Sequence, residues 1–228
     1  MSPSGIGASA LRYWETRQAA VSNNLANVAT PGFKGERVFA RLLDDSTLVA
    51  DGATDFSPGS VTETGRPLDV ALAVDGFFVV DTPDGRRWVR SGSFSLDENG
   101  TLVDMQGRTV LGREGPLALP PGPVEITLQG VVKVNGEPVG TLLVERAKEA
   151  VELQRAGENL WLPPEGRDDV PLDAVQVRQG HLEESNVNPV TALVEMMEIQ
   201  RAYAAVQRGL QVNDSAMEAL TTQIGRVG

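Results

Sequence analysis

The sequence has no cysteine, which excludes disulfides, thiolate metal sites and cysteine nucleophiles. It has one histidine, His181. A single imidazole with no thiol cannot assemble the usual zinc ligand set, and a lone histidine at a strand edge is ordinarily solvated or hydrogen-bonded. No stretch reaches the roughly 18 consecutive apolar residues of a membrane-spanning helix. The N-terminus lacks the basic-then-apolar layout of a cleavable signal, so any export is expected to use another route. Basic residues number 20 against 31 acidic, a net charge of −11, which argues against nucleic acid or an anionic membrane as partner. Catalytic patterns are missing as well. Gly92-Ser93 fails the second glycine of a nucleophile elbow. Gly5-Ile6-Gly7 follows no strand, and Asp97-Glu98-Asn99-Gly100 lacks the spaced acids of a calcium loop and reads as a turn. Asp44 and Asp45 are adjacent in a polar loop and are expected to face solvent. The expectation is a protein that is not an enzyme, with no catalytic, cofactor-binding or metal residues and no small-molecule substrate.

Both ends of the chain are strongly patterned. Asn188 suits a helix N-cap and Pro189 the first turn. From there Met196, Ile199, Tyr203, Val206, Leu210, Asn213, Met217, Leu220 and Ile224 follow at steps of three and four, while Glu195, Glu198, Arg201, Arg208 and Glu218 fall off the row. That spacing predicts a helix with a heptad seam. The first helix is expected over 3–29, with Leu11, Trp14, Gln18, Val21, Leu25 and Val28 at the same steps. One apolar stripe cannot stabilise an isolated helix, so both helices need partners. Gln18 and Asn213 are the polar members, a pattern that fixes register at a cost in strength. Glu183 and Glu184 precede the C-terminal helix, whose positive start favours carboxylates.

The middle is β-patterned. Leu68, Val70, Leu72 and Val74 alternate with smaller or polar residues; Phe77-Phe78-Val79-Val80 reads as a short buried-type run; Pro83-Asp84-Gly85 and Asn135-Gly136 read as hairpin turns. The predicted fold class is α+β: long N- and C-terminal helices forming a coiled-coil or helical-tube domain, and an all-β middle domain, a short-stranded sandwich or barrel. The boundaries are an N-terminal helix over 1–33, an extended connector over 34–66, a β-rich body over 67–187 and a C-terminal helix over 188–228.

Three stretches, in order, carry a resemblance. Ser22-Asn23-Asn24-Leu25-Ala26-Asn27-Val28-Ala29-Thr30-Pro31-Gly32-Phe33-Lys34 is similar to the N-terminal signature of the bacterial flagellar axial proteins, the rod and hook subunits. Asp75-Gly76-Phe77-Phe78-Val79-Val80, with Arg90-Ser91-Gly92-Ser93-Phe94, resembles that family's central β motif. Leu182-Glu183-Glu184-Ser185-Asn186-Val187-Asn188-Pro189 resembles its C-terminal motif. The resemblance implies a structural subunit of the basal-body rod that polymerises through its terminal helices, transmits torque and forms the export channel wall. It implies copies of itself, other rod subunits and the flagellar export apparatus as partners, and no nucleic acid. Arg66-Pro67-Leu68-Asp69-Val70-Ala71-Leu72 resembles the proximal-rod type, whereas the run from Met196 to Tyr203 resembles the distal type; a distal-rod or hook-type subunit is the alternative. In another class, the residues also suit a soluble β-domain binding module on a coiled-coil stalk.

Overall fold

The computed structural model describes residues 3–42, 48–148, 153–157 and 159–224; for 3–6, 214 and 217–224 it describes the backbone alone. Asp44 and Asp45 lie outside the described residues. In chain order the elements are α1 (Pro3–Ala26), β1 (Glu36–Leu42), β2 (Leu48–Thr54), β3 (Val61–Glu63), β4 (Val70–Leu72), β5 (Phe77–Thr82) and β6 (Gly85–Val89). There follow β7 (Phe94–Leu96), β8 (Leu102–Asp104), β9 (Thr109–Gly112), β10 (Gly115–Pro116), β11 (Val124–Ile126), β12 (Val131–Val134) and β13 (Glu137–Thr141). The last are β14 (Val144–Ala147), β15 (Leu160–Trp161), β16 (Arg167–Asp169), β17 (Val177–Gln179), β18 (His181–Glu183) and α2 (Pro189–Ile224). The chain forms two compact units: Met1–Val28, Gly35–Phe56 and Val187–Gly228 make the first, Ala29–Lys34 and Ser57–Asn186 the second.

The first unit is an antiparallel helix pair with a hairpin. Leu210 lies against Gly7, the Tyr203 hydroxyl donates to Glu15, Arg17 pairs with Glu195 at 2.7 Å, and Val21 packs with Ala192 and Ile199. Positions rise along α1 as they fall along α2. Pro3 starts α1 where a missing N–H costs nothing, and Asn188 caps α2 by accepting from the amides of Val190 (3.0 Å) and Thr191 (3.1 Å). α1 also packs on the antiparallel hairpin β1–β2, whose register runs from Glu36↔Thr54 to Leu42↔Leu48. The region expected as an extended connector thus contains a two-stranded ribbon. Its strands are half-exposed, so no clean alternation marks them.

The expected coiled-coil or helical-tube domain is corrected here. Among the described residues there are two helices, one at each end, and the remaining elements are strands. Part of the seam finds cover within the chain: α1 lies on α2, and among the described side chains the buried apolar cluster between them is Val21, Ala192 and Ile199. A coiled coil needs knobs entering holes along the whole seam. Here Trp14, Leu25 and Met196 are only partly buried against that small cluster.

The second unit is β throughout. Its largest sheet has nine strands, in the order β15-β6-β5-β9-β8-β7 with β10, β14 and β16 joined off that path. β5 explains the sheet's thickness. Phe78 and Val80 enter one buried cluster with Phe94, Leu102, Val110, Leu142 and Val144. Phe77 and Val79 enter another with Trp88, Leu111, Leu143 and Trp161. Successive side chains point to opposite faces, so a run of four apolar residues feeds two cores. The three-stranded sheet β11-β12-β13 and the pair β4–β17 contribute Ile126, Val132, Val70, Leu72 and Val177 to the first cluster. The β-rich middle read from the sequence is present.

Candidate functional site

The three motif stretches meet at one buried charge cluster in the second unit. Lys34 ends the first motif, Arg90 opens the second half of the central one, and Glu183 on β18 belongs to the third. Lys34 Nζ lies 2.6 Å from Glu183 Oε1, and Arg90 Nε lies 2.6 Å from Glu183 Oε2. The Gly59 amide also donates to Oε1, at 3.0 Å. Lys34 Nζ reaches the Ser57 carbonyl at 2.8 Å. The Arg90 guanidinium donates further to the carbonyls of Leu72 (3.1 Å), Val74 (2.9 Å) and Gly76 (2.6 Å). Buried charges persist only when paired and hydrogen-bonded, and here every charged group is both. Burial disfavours the Glu183 charge, but the Arg90 charge, the Lys34 bond, the Gly59 amide and the Arg90 bond outweigh it and hold the carboxyl below its ordinary range.

Close backbone approaches shape the same place. Gly32 adopts a left-handed φ of 68°, and a Cβ there would sit 2.5 Å from the Ser91 nitrogen. Its amide donates to the Glu183 carbonyl at 2.7 Å, and the Asn186 amide donates to the Phe33 carbonyl at 3.3 Å. Phe33 is buried, with the Arg155 guanidinium 5.2 Å from its ring centre and 4.6 Å from that of Trp161; Arg155 also donates to the Lys34 carbonyl. A cavity of about 620 Å³ adjoins, lined by Pro58, Val61, Leu72, Val74, Arg146 and Arg178 among others. Of its charged lining, Arg90 and Glu183 are engaged with each other.

The residues singled out in the sequence take several positions. Val21 and Ile199 are buried between the helices; Leu11, Trp14, Gln18, Leu25, Val28, Met196, Tyr203, Val206, Leu210 and Asn213 are half-buried. The side chains of Met217, Leu220 and Ile224 lie outside the described set. Asn24 exchanges two hydrogen bonds with the Glu36 backbone, at 2.7 and 2.9 Å, and so ties α1 to β1. Asn27 donates to the Asn23 carbonyl at the end of α1, and Asn186 donates to the Ser57 carbonyl. Glu183 serves the ion cluster rather than the start of α2. His181 Nδ1 lies 2.8 Å from the Gln179 carbonyl, and Asp97 closes its turn on the amides of Thr101 and Asn99. Two features escaped the sequence reading: the ion cluster, and a second apolar row on α2, where Val190, Leu193, Val194, Met197 and Val212 are exposed. Steps of three and four connect the first four of these, a signal masked by the stronger seam beside them.

Comparison with known proteins gives three family matches in chain order. Residues 6–34 match "Flagella basal body rod protein", 71–137 match "Flagellar hook protein FlgE/F/G D1 domain", and 178–224 match "Flagellar basal body rod FlgEFG protein C-terminal". Among relatives, the flagellar basal-body rod protein FlgF of Caulobacter vibrioides is 33% identical over 224 residues, 91% of this chain and 90% of the relative. FlgF of Escherichia coli is 33% identical over 230 residues, covering 89% and 90%. The flagellar basal-body rod protein FlgG of Buchnera aphidicola is 31% identical over 243 residues, covering 88% and 91%.

Proposed function

This chain belongs to the flagellar basal-body rod protein family, and from that premise we propose that it is a proximal-type rod subunit joining its neighbours through the exposed faces of the helix pair. It is a structural protein of the basal body. The observation that carries the interface is the row Val190, Leu193, Val194 and Met197, continued by Val212. α1 covers the face of α2 that bears Ala192 and Ile199, and the second row is left in water. Contiguous exposed apolar surface marks an interaction site. The half-buried seam positions Leu11, Gln18, Val206 and Asn213 offer neighbouring subunits a second face, on the opposite side of α2 from that row, and the polar pair sets its register. Its partners are copies of itself and other rod subunits; through them it transmits torque, and its route to the rod is the flagellar export apparatus.

A distal-type position is the second reading, favoured by the similarity to FlgG. Electron microscopy of isolated basal bodies with the protein labelled tests both: label at the cell-proximal end of the rod is expected, and label at its outer end selects the second reading. Removing residues 189–228 is expected to leave a soluble β unit that never enters basal bodies. Incorporation of that truncated chain would overturn the interface.

A further inference from the structure

The chain passes between its two units at four places: after residues 28, 34, 56 and 186. The ion cluster and the bonds around it gather three of the second unit's ends of these passages, Lys34, Ser57 and Asn186, and the fourth, Ala29, begins the short segment that Lys34 ends. The short segment 29–34 finishes in Lys34, whose ammonium holds both Glu183 and the carbonyl of Ser57, the first residue after the third passage. The same segment is tied by the Gly32 amide to the Glu183 carbonyl and by the Phe33 carbonyl to the amide of Asn186, the last residue before the fourth passage. Asn186 also donates to the Ser57 carbonyl, at 3.1 Å. Arg90 fastens Glu183 in turn to the carbonyls of Leu72, Val74 and Gly76.

We propose that Lys34, Glu183 and Arg90 form a mechanical clasp that binds all the chain's exits from the β unit into one rigid knot. An apolar plug would fill the space at no desolvation cost, and buried ion pairs seldom add net stability over such a plug. Charge-assisted bonds add direction: a carboxylate gripped on both oxygens resists sliding of one segment past another, which apolar contact does not. This rests on the rod-subunit reading, in which force must pass along these connections; the three side chains are positioning residues.

Hydrogen exchange on the purified full chain, as wild type, Glu183→Gln and Lys34→Met, tests the clasp. The amides of Gly32, Gly59 and Asn186 are expected to exchange about tenfold faster in both variants while those of β5 and β9 keep their rates, because local opening is separable from global unfolding. Lys34→Arg is expected to restore protection. A uniform acceleration across the unit, or none at the exits, overturns the clasp. Should Glu183→Gln fail to fold, Lys34→Met decides alone. In cells lacking their own copy, failure of the wild-type chain to restore motility overturns the rod reading itself. Restoration by the wild type, with both variants swimming equally fast in viscous medium, overturns the clasp only.

Discussion

Lys34 and Glu183 stand 149 residues apart in sequence and 2.6 Å apart in space, with only 2–3% of either side chain open to water. Removing the carboxylate as Glu183→Gln strands two buried cations and is expected to cost about 3–5 kcal/mol in chemical denaturation. Lys34→Met leaves Arg90 as counter-ion and is expected to cost less. In a double-mutant cycle the combined variant should lose at least about 1 kcal/mol less than the sum of the single losses. Strict additivity would mean the two groups do not interact.

The same carboxylate sets an acid limit. Its folded pKa lies below the unfolded value, so its contribution is complete above the unfolded carboxylate pKa of about 4.3 and disappears as pH falls through the lower folded value. Between about pH 6 and pH 3 the wild type should therefore lose more stability than Glu183→Gln, measured by denaturant midpoints. Equal losses would assign the acid sensitivity to other groups.

Gly32 and Gly107 share a left-handed backbone, with φ of 68° and 77°, but not their surroundings. A Cβ at 107 meets nothing within 4 Å, whereas one at 32 meets the Ser91 backbone. Gly107→Ala is expected to cost about 1–2 kcal/mol, the ordinary penalty of that conformation. Gly32→Ala must also displace a strand connection and should cost distinctly more; equal melting temperatures would contradict the close approach.

Asn188 accepts two amide hydrogen bonds at the start of α2. Asn188→Ala is expected to lower stability by about 1 kcal/mol, and Asn188→Asp to preserve it through a favourable charge at the helix N-terminus. A neutral alanine substitution would show that the cap contributes little.

Met197 and Ile199 differ by two positions and by face: the first is exposed, the second fully buried. Met197→Glu should leave stability within about 0.5 kcal/mol yet abolish incorporation into basal bodies. Ile199→Glu should disrupt the helix pair outright, because it buries an unpaired charge. Normal assembly with Met197→Glu would remove the second apolar row from the interface.

Legibility followed the range of the interaction. The start of α2 was readable because Asn188 and Pro189 act on their immediate neighbours, and β5 because four apolar residues in a row suit a strand covered on both faces. The seam was readable from its spacing, but spacing alone does not say whether a stripe is covered by another molecule or by the same chain; α1 covers the part at Ala192 and Ile199. The hairpin β1–β2 was hidden because neither strand is buried enough to alternate. The ion cluster was present as three motif fragments carrying Lys34, Arg90 and Glu183, of which only Glu183 suggested a role, at the start of α2. Its members come from positions 34, 90 and 183, and no local period connects residues that far apart.

Tyr203 meets Glu15 across 188 residues, whereas turns such as the one joining β5 to β6 close within a handful. Local pairings form early and distant ones late, so ribosomal synthesis should complete the β unit while the first helix still waits for its mate. The helix pair can mature only after the C-terminus is released, and a chain cut short before Ala192 never supplies the apolar surface that Val21 requires.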